Sequence, residues 1–392
     1  MRYLDSIFVS LLKPIDRRAF KASVARHRAD AYDKRFSSWD HLVALIYAQL
    51  SGATGLRGMV CGWNAHAHHH YHLGVGALAR STVSDANGRR PVAVFAELFK
   101  ALSAQLDRRR RADGKAMLRL IDATPIPLGT LCRGAAWNGR IRGMKMHVLY
   151  DPDADRPCRF DITPANVNDI DFGRATDIEP GATYVYDKAY CHYGWWTEID
   201  QAGAYFVTRP KRRARWRTLA ERPIDKAQTV AIEGDGFRVR QDREVALASK
   251  GDSKLDIPLR LITVERDDAK PITILTNDMR RTAAEIGDLY KARWQIELLF
   301  RWIKQHLNIK AFLGRAENAI RLQITAAMIA FALLRIAARR HRVNIPPIRL
   351  AQLVAACLFV RKPFAKIDKP PPVNPSKPKP KTDPRQGEML YA

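Results

Sequence analysis

Three carboxylates stand where chemistry could use them. Asp122 closes the run Leu118–Ile121, Asp187 closes Tyr184–Tyr186, and Glu297 lies within the segment Tyr290–Lys304. That last segment has a helical pattern. A helix turns about 100° per residue, so Tyr290, Arg293, Glu297 and Lys304 share an arc of about 60°, with Arg301 and Asn308 on or beside it. Leu289, Ile296, Leu299, Ile303 and Leu307 form an apolar stripe on the other side. The pattern suits a single carboxylate held among cations. It suits equally a surface helix laced by ordinary i,i+4 ion pairs. Either aspartate alone would fit a strand-end residue that caps the next turn. A carboxylate closing a buried strand still needs hydrogen bonds, a cation or a metal to offset its desolvation. Taken together, two aspartates from strands and one glutamate from a helix make a donor set for two Mg²⁺ ions, which prefer hard oxygen ligands.

These residues need elements to position them. Residues 117–209 contain short runs rich in β-formers: Met117–Ala123, Lys145–Tyr150, Arg159–Thr163, Thr183–Asp187 and Ala204–Thr208. Helical stretches fit at Asp169–Asp177 and Tyr193–Gln201. Three strands, then helix, strand, helix, strand predict a mixed α/β sheet with helices on its faces. Residues 210–280 read as a β-rich insertion built on Thr229–Glu233, Phe237–Leu247, Leu259–Glu265 and Ile272–Thr276. Thr282 and Glu285 form a capping box that opens the glutamate helix. Further helices are expected over residues 317–341 and Leu350–Val360.

Upstream, residues 1–110 read as short helices with many arginines, which suits a DNA-binding module and also any small bundle. The basic run Arg108–Arg111 reads as a linker. The catalytic region is expected over residues 115–340, a C-terminal helical segment over 341–365, and a disordered, basic, proline-rich tail over 366–392.

Composition narrows the partner. Lys and Arg number 66 against 40 Asp and Glu, a net charge of +26 in 392 residues. That excess points to a polyanion, of which nucleic acid is the common case. The stretch Ile324–Leu334 is apolar but short for a membrane span, and Arg335 follows it. No signal-peptide pattern opens the chain, and the five cysteines are scattered without a CxxC, which fits reduced thiols in a cytoplasm. The basic segment Lys211–Arg217, with Arg213, Arg215 and Trp216, could grip a single strand by charge and stacking, or be a solvated loop. His66, His68, His69, His70 and His72 form a cluster that reads as a polar surface loop; zinc is the other reading.

The spacing Tyr290-x2-Arg293-x3-Glu297-x6-Lys304, with Ile121-Asp122-Ala123-Thr124 and Val185-Tyr186-Asp187-Lys188-Ala189-Tyr190, resembles the DDE transposases of bacterial insertion sequences. More narrowly it resembles the insertion-sequence-four family, with its Tyr-Arg-Glu-Lys signature. The resemblance covers about residues 10–340, and Lys145, His147 and Asp169 also fall where that family has similar residues. Ala189 departs from the commoner glycine. The resemblance implies a ribonuclease-H-like core with a β-rich insertion and a helical N-terminal domain. It implies a nucleoid-associated bacterial enzyme that binds the terminal inverted repeats of its element, cuts them and joins them to target double-stranded DNA. It implies Asp122, Asp187 and Glu297 as ligands of two Mg²⁺ ions, with Mn²⁺ able to substitute. It further implies Tyr290, Arg293 and Lys304 on the DNA, a homodimer in the DNA complex, and no membrane; Arg301, beside the same helical arc, is expected to add a smaller DNA contact of the same kind. A nuclease of the same fold and an inactive DNA-binding derivative are the alternatives.

Overall fold

Strand Leu118–Pro127 (β1) organises the sheet, because its apolar residues are buried on both faces. The computed structural model describes residues 4–31, 33, 35–107, 117–129, 132, 135–224, 237–248, 255–266, 269–306 and 312–369. Next to β1 on one side runs Arg142–Asp151 (β3), antiparallel, joined in turn to Ala136–Trp137 (β2) and Arg156–Pro164 (β4). On the other side Thr183–Tyr186 (β5) and Tyr205–Thr208 (β6) run parallel to it. Three antiparallel strands followed by two parallel ones give the ribonuclease-H-like order. The sheet continues through Ala269–Thr276 (β10), Leu259–Arg266 (β9), Phe237–Leu247 (β8) and Trp216–Glu221 (β7), making ten strands among the described residues. β7 to β10 are the β-rich insertion, tied to β6 by the pairs Leu275↔Thr208 and Thr276↔Val207. The expected strand Thr229–Glu233 lies outside the described residues.

The period-two alternation of a strand sends neighbours to opposite faces. Leu120, Val148, Val185 and Val207 face one core, which holds most of the helices. Ile121, Tyr186 and Phe206 face the other, covered by Trp195, Trp196 and Ile199 of helix Tyr193–Gln201.

The helices before the sheet are Ile7–Leu12 (α1), Arg17–Arg26 (α2), Ser38–Ser51 (α3), Leu56–Ala65 (α4), His70–Leu73 (α5), Arg80–Arg89 (α6) and Val92–Asp107 (α7). Ser37 and Asp40 cap α3 reciprocally. Asp169–Arg174 (α8) and Tyr193–Gln201 (α9) follow within the core. Ala283–Ala292 (α10) opens with the Thr282/Glu285 capping box and is followed by Trp294–His306 (α11). Glu317–Arg340 (α12) and Pro347–Cys357 (α13) complete the set.

α12 is buried nearly all round, and α1, α3, α6 and α7 pack against it. Its length and hydropathy would suit a membrane span, but 89% of the apolar window is buried inside the protein. The buried stretch runs well past both ends of Ile324–Leu334, so it is a core helix. The N-terminal helices therefore share their core with a helix that follows the glutamate in sequence. Burial of that kind is the main source of helix stability in proteins. The run Arg108–Arg111 and the tail beyond residue 369 lie outside the described residues.

Candidate active site

Strand register brings the two aspartates together. β1 and β5 pair in parallel from Leu118↔Thr183 to Ile121↔Tyr186. One residue further on, Asp122 and Asp187 stand abreast on adjacent strands, about 4.8 Å apart in the pairing direction. Asp122 lies inside β1, not at its end as its place after the apolar run suggested: β1 runs on to Pro127, paired with β3 through Asp122↔Val148. Only the parallel pairing stops there, because β5 ends at Tyr186. Alternation sends both carboxylates toward the face that carries Leu120 and Val185, where α11 packs on β1.

α11 brings Glu297. Ile296, Leu299, Phe300, Trp302 and Ile303 are buried and hold the helix down. The segment Tyr290–Lys304 is two helices, not the single one its periodicity suggested. α10 ends at Ala292, and Arg293 joins it to α11 through three-residue bonds: its N–H donates to Tyr290 O (3.1 Å), and Ile296 N–H donates to its carbonyl (3.2 Å). Such tight turns bend the helical axis. Leu307 and Asn308 lie outside the described residues.

Arg293 is the centre of the arrangement. Its guanidinium donates to Glu297 Oε1 at 2.7 Å and lies 3.5 Å from Asp122 Oδ2. It bridges the two carboxylates, and it sits over the Tyr290 ring at 5.9 Å. Asp122 remains poorly compensated. Burial lifts its carboxyl to about 6, aided by Glu297 and Asp187 and opposed by the Ala123 N–H and Arg293. Tyr290 is half-buried, and burial raises its hydroxyl above the ordinary value. Among the described residues, no three His, Cys, Asp or Glu side chains are grouped to hold one ion as they stand. The donors themselves fit a hard divalent ion: carboxylate oxygens, one of them under-satisfied in a mostly buried position.

Two residues at this end of the sheet were given no role by the sequence reading, although Tyr190 closes the second aspartate motif. Tyr190 sits three residues beyond Asp187 in the 3₁₀ turn Lys188–Tyr190, with its N–H bonded to Asp187 O at 3.0 Å. It is 1% exposed, and its hydroxyl has no hydrogen-bond partner among the described residues. Burial, with Asp169, Asp122 and Asp187 around it, raises that hydroxyl well above the ordinary value. Arg209 follows β6 at the level of Asp187, by continuation of the Val185↔Val207 register, and its charge reaches Tyr290. The rule that parallel strands present functional groups beyond their carboxyl ends would have found it.

The other expected residues are more scattered. Lys145 and His147 point to the face opposite Asp122. Lys145 Nζ donates to Asp169 Oδ1 (2.7 Å) and Val167 O (2.8 Å), and His147 Nε2 bonds the Thr163 hydroxyl at 2.8 Å. Lys304 is half-buried on α11. Arg301 is exposed, with its guanidinium 5.6 Å from the Trp294 ring. Arg213 and Arg215 are exposed between β6 and β7. Trp216 opens β7 and packs, half-buried, on the second core, so the basic segment is a loop only as far as Arg215. The histidine cluster forms short helical turns, not a loop. His70 is buried against Trp63, with ring centroids 4.5 Å apart, and His66 and His69 stack on Phe359.

Residues 113–333 match the family model described as the transposase DDE domain, and residues 4–76 match a domain of unknown function. The chain is 60% identical over 309 residues to y4zB, a candidate transposase of Sinorhizobium fredii, spanning 79% of this chain and 85% of that one. It is 27% identical over 259 residues to a candidate transposase for insertion sequence element IS5377 of Geobacillus stearothermophilus, spanning 65% of this chain and 66% of that one. Among solved structures it is similar to the cryo-EM structure of the piggyBac transposase synaptic complex with hairpin DNA, with a TM-score of 0.48 and 11% identity over 94% of this chain and 81% of that one. With the domain model covering more than half of its length, this chain belongs to the DDE transposase family, in the branch encoded by insertion sequences of the insertion-sequence-four type.

Proposed function

We propose that Asp122, Asp187 and Glu297 are the residues with which this transposase cleaves the terminal inverted repeats of its element and joins them to target DNA. The observation that carries the assignment is the register Ile121↔Tyr186, which sets Asp122 beside Asp187 under the helix that bears Glu297. Enzymes of this family act on DNA with divalent metal ions. Two such ions, Mg²⁺ or Mn²⁺, held by these carboxylates would supply an activated water and a stabilised leaving oxygen for an in-line displacement at phosphorus.

Asp122, abreast of Asp187 and linked to Glu297 through Arg293, would hold the ions together with those two carboxylates. Arg293 and Lys304 would hold backbone phosphates beside the site, where charge-assisted bonds are the strong ones. Tyr290 supports Arg293 from below. Arg209, Arg213 and Arg215 extend the positive surface away from the site, and Arg301 adds charge further along α11. Residues 1–110 serve as the DNA-binding domain in this reading. The working form is a homodimer on paired DNA ends, acting at the nucleoid in the bacterial cytoplasm.

The test uses the full chain, because α12 completes the core of the N-terminal helices. Glu297→Ala is assayed on a duplex carrying the element's end, in Mg²⁺. Nicking should vanish while salt-sensitive binding to the duplex persists. Nicking at the normal rate by this variant would remove Glu297 from the site.

A further inference from the structure

We infer that Arg293 is a built-in competitor for the metal: in the free protein its guanidinium fills the place of an ion between Asp122 and Glu297, and loading the site requires it to swing out toward a DNA phosphate. This rests on the assignment of the three carboxylates given above and adds a state to it.

Arg293 lies 2.7 Å from Glu297 Oε1 and 3.5 Å from Asp122 Oδ2, so one planar cation engages a carboxylate on the helix and another on the central strand. An ion shared by those two groups would need the same space. The latch is internal to the helix pair. Arg293 sits at the joint between α10 and α11, and Glu297 is four residues on, so the bond forms as soon as α11 does.

The bridge is incomplete as a resting place for Asp122. Arg293 stands 3.5 Å from that carboxylate, longer than the 2.7 Å of its bond to Glu297, whereas a carboxylate can accept a close two-pronged fork. The Arg293 side chain is 21% exposed, and so is that of Asp122, so an exit to solvent exists. A guanidinium is also the side chain best shaped to grip a phosphate once it has left. The same side chain therefore serves two anions in turn, a carboxylate pair and then a phosphate. Linkage follows from thermodynamics: if DNA takes Arg293 out of the site, DNA must raise metal affinity by the same factor as metal raises DNA affinity. The free protein would be metal-poor, and the site would load on DNA.

Binding of Mn²⁺ alone to the full chain without DNA, followed by its electron paramagnetic resonance signal, tests this with no reliance on catalysis. Arg293→Gln should bind Mn²⁺ about tenfold more tightly than the wild type, or better still. Arg293→Lys keeps the charge but is a hydrated point cation that cannot fork across two carboxylates, so it should lie close to Arg293→Gln. Lysine behaving like the wild type would mean that local charge, not bridging, sets the affinity, and the latch would be wrong. Unchanged or weaker binding by Arg293→Gln would overturn it as well. A double variant, Arg293→Gln with Asp122→Asn, separates this failure from that of the parent assignment. Loss of the tight binding in the double variant upholds the carboxylate site. Retention of tight binding, or no saturable binding in any variant, removes that assignment and the latch together.

Discussion

Among the molecule's arginine–carboxylate arrangements, one in the β insertion and one beside Asp122 are built from the same parts to different ends. In the β insertion, Arg260 of β9 forks onto Asp242 of β8, with Nε to Oδ1 at 2.7 Å and Nη2 to Oδ2 at 2.5 Å. Its remaining nitrogen donates to Asp278 O (3.3 Å) and Arg281 O (2.5 Å), and both side chains are about 3% exposed or less. Asp278 in turn accepts the Arg280 and Arg281 N–H groups, so the pair fixes the turn from which α10 starts. At the candidate active site, Arg293 lies 2.7 Å from Glu297 and 3.5 Å from Asp122, and the Asp122 and Glu297 side chains keep 21% and 33% exposure. A closed and fully bonded pair has no vacancy and can only hold structure. A half-open pair keeps unused bonding capacity, and chemistry requires such capacity.

Breaking the closed pair should give the largest effect. Arg260→Met leaves Asp242 buried without a partner and should destabilise the protein by about 3–5 kcal/mol. Replacing both members with apolar residues of similar volume should recover most of that loss. Urea unfolding of the single and double variants reads both values. If the single variant costs less than about 1 kcal/mol, the pair is not the clamp described here.

The open pair should respond with the opposite sign. Burial lifts the Asp122 carboxyl from 3.8 to about 6. Between those values the folded protein holds a proton that the unfolded chain has lost, so this group makes stability fall as pH rises from about 4 to 6. A shift of two units corresponds to about 3 kcal/mol at most, and the partial exposure reduces it. Asp122→Asn should therefore raise stability by about 1–3 kcal/mol near pH 7, add nothing below about pH 4, and abolish cleavage. Denaturant unfolding at the two pH values checks it. A gain that persists in acid would trace to some cause other than the carboxyl.

The smallest effect belongs to a cation at the rim. Arg301 is exposed over Trp294, an arrangement worth about 0.5–1 kcal/mol at such sites. Arg301→Ala should lower stability by less than about 1 kcal/mol and weaken DNA binding modestly, with a shallower salt dependence. A loss of several kcal/mol in thermal unfolding would make Arg301 part of the core packing of α11.

Much of this was legible along the chain. The Thr282/Glu285 box starts α10, α9 runs over Tyr193–Gln201 as its pattern implied, and β8 occupies Phe237–Leu247. These are local signals: caps, turn residues and periodicity act over a few positions. The break at Arg293 was not legible, because the wheel that aligns Tyr290 with Glu297 assumes one continuous helix. Nor was the role of Trp216, whose neighbours in the basic segment suggest a loop while Leu247 pairs with it as a strand.

By itself, the order of residues determined the chemistry available: two aspartates after β-forming runs, a glutamate among cations at helical spacing, and a strongly positive chain. Tertiary structure alone decided how those groups meet. The register Ile121↔Tyr186 joins residues 65 positions apart, and α12 closes the core of helices that precede it by more than 200 residues. Both depend on which distant surfaces bury each other, and no local pattern encodes that. The same holds for Arg293. Its type and spacing mark it as a cation near Glu297, but its contact with Asp122 exists only because α11 is pressed onto β1 by a buried apolar stripe.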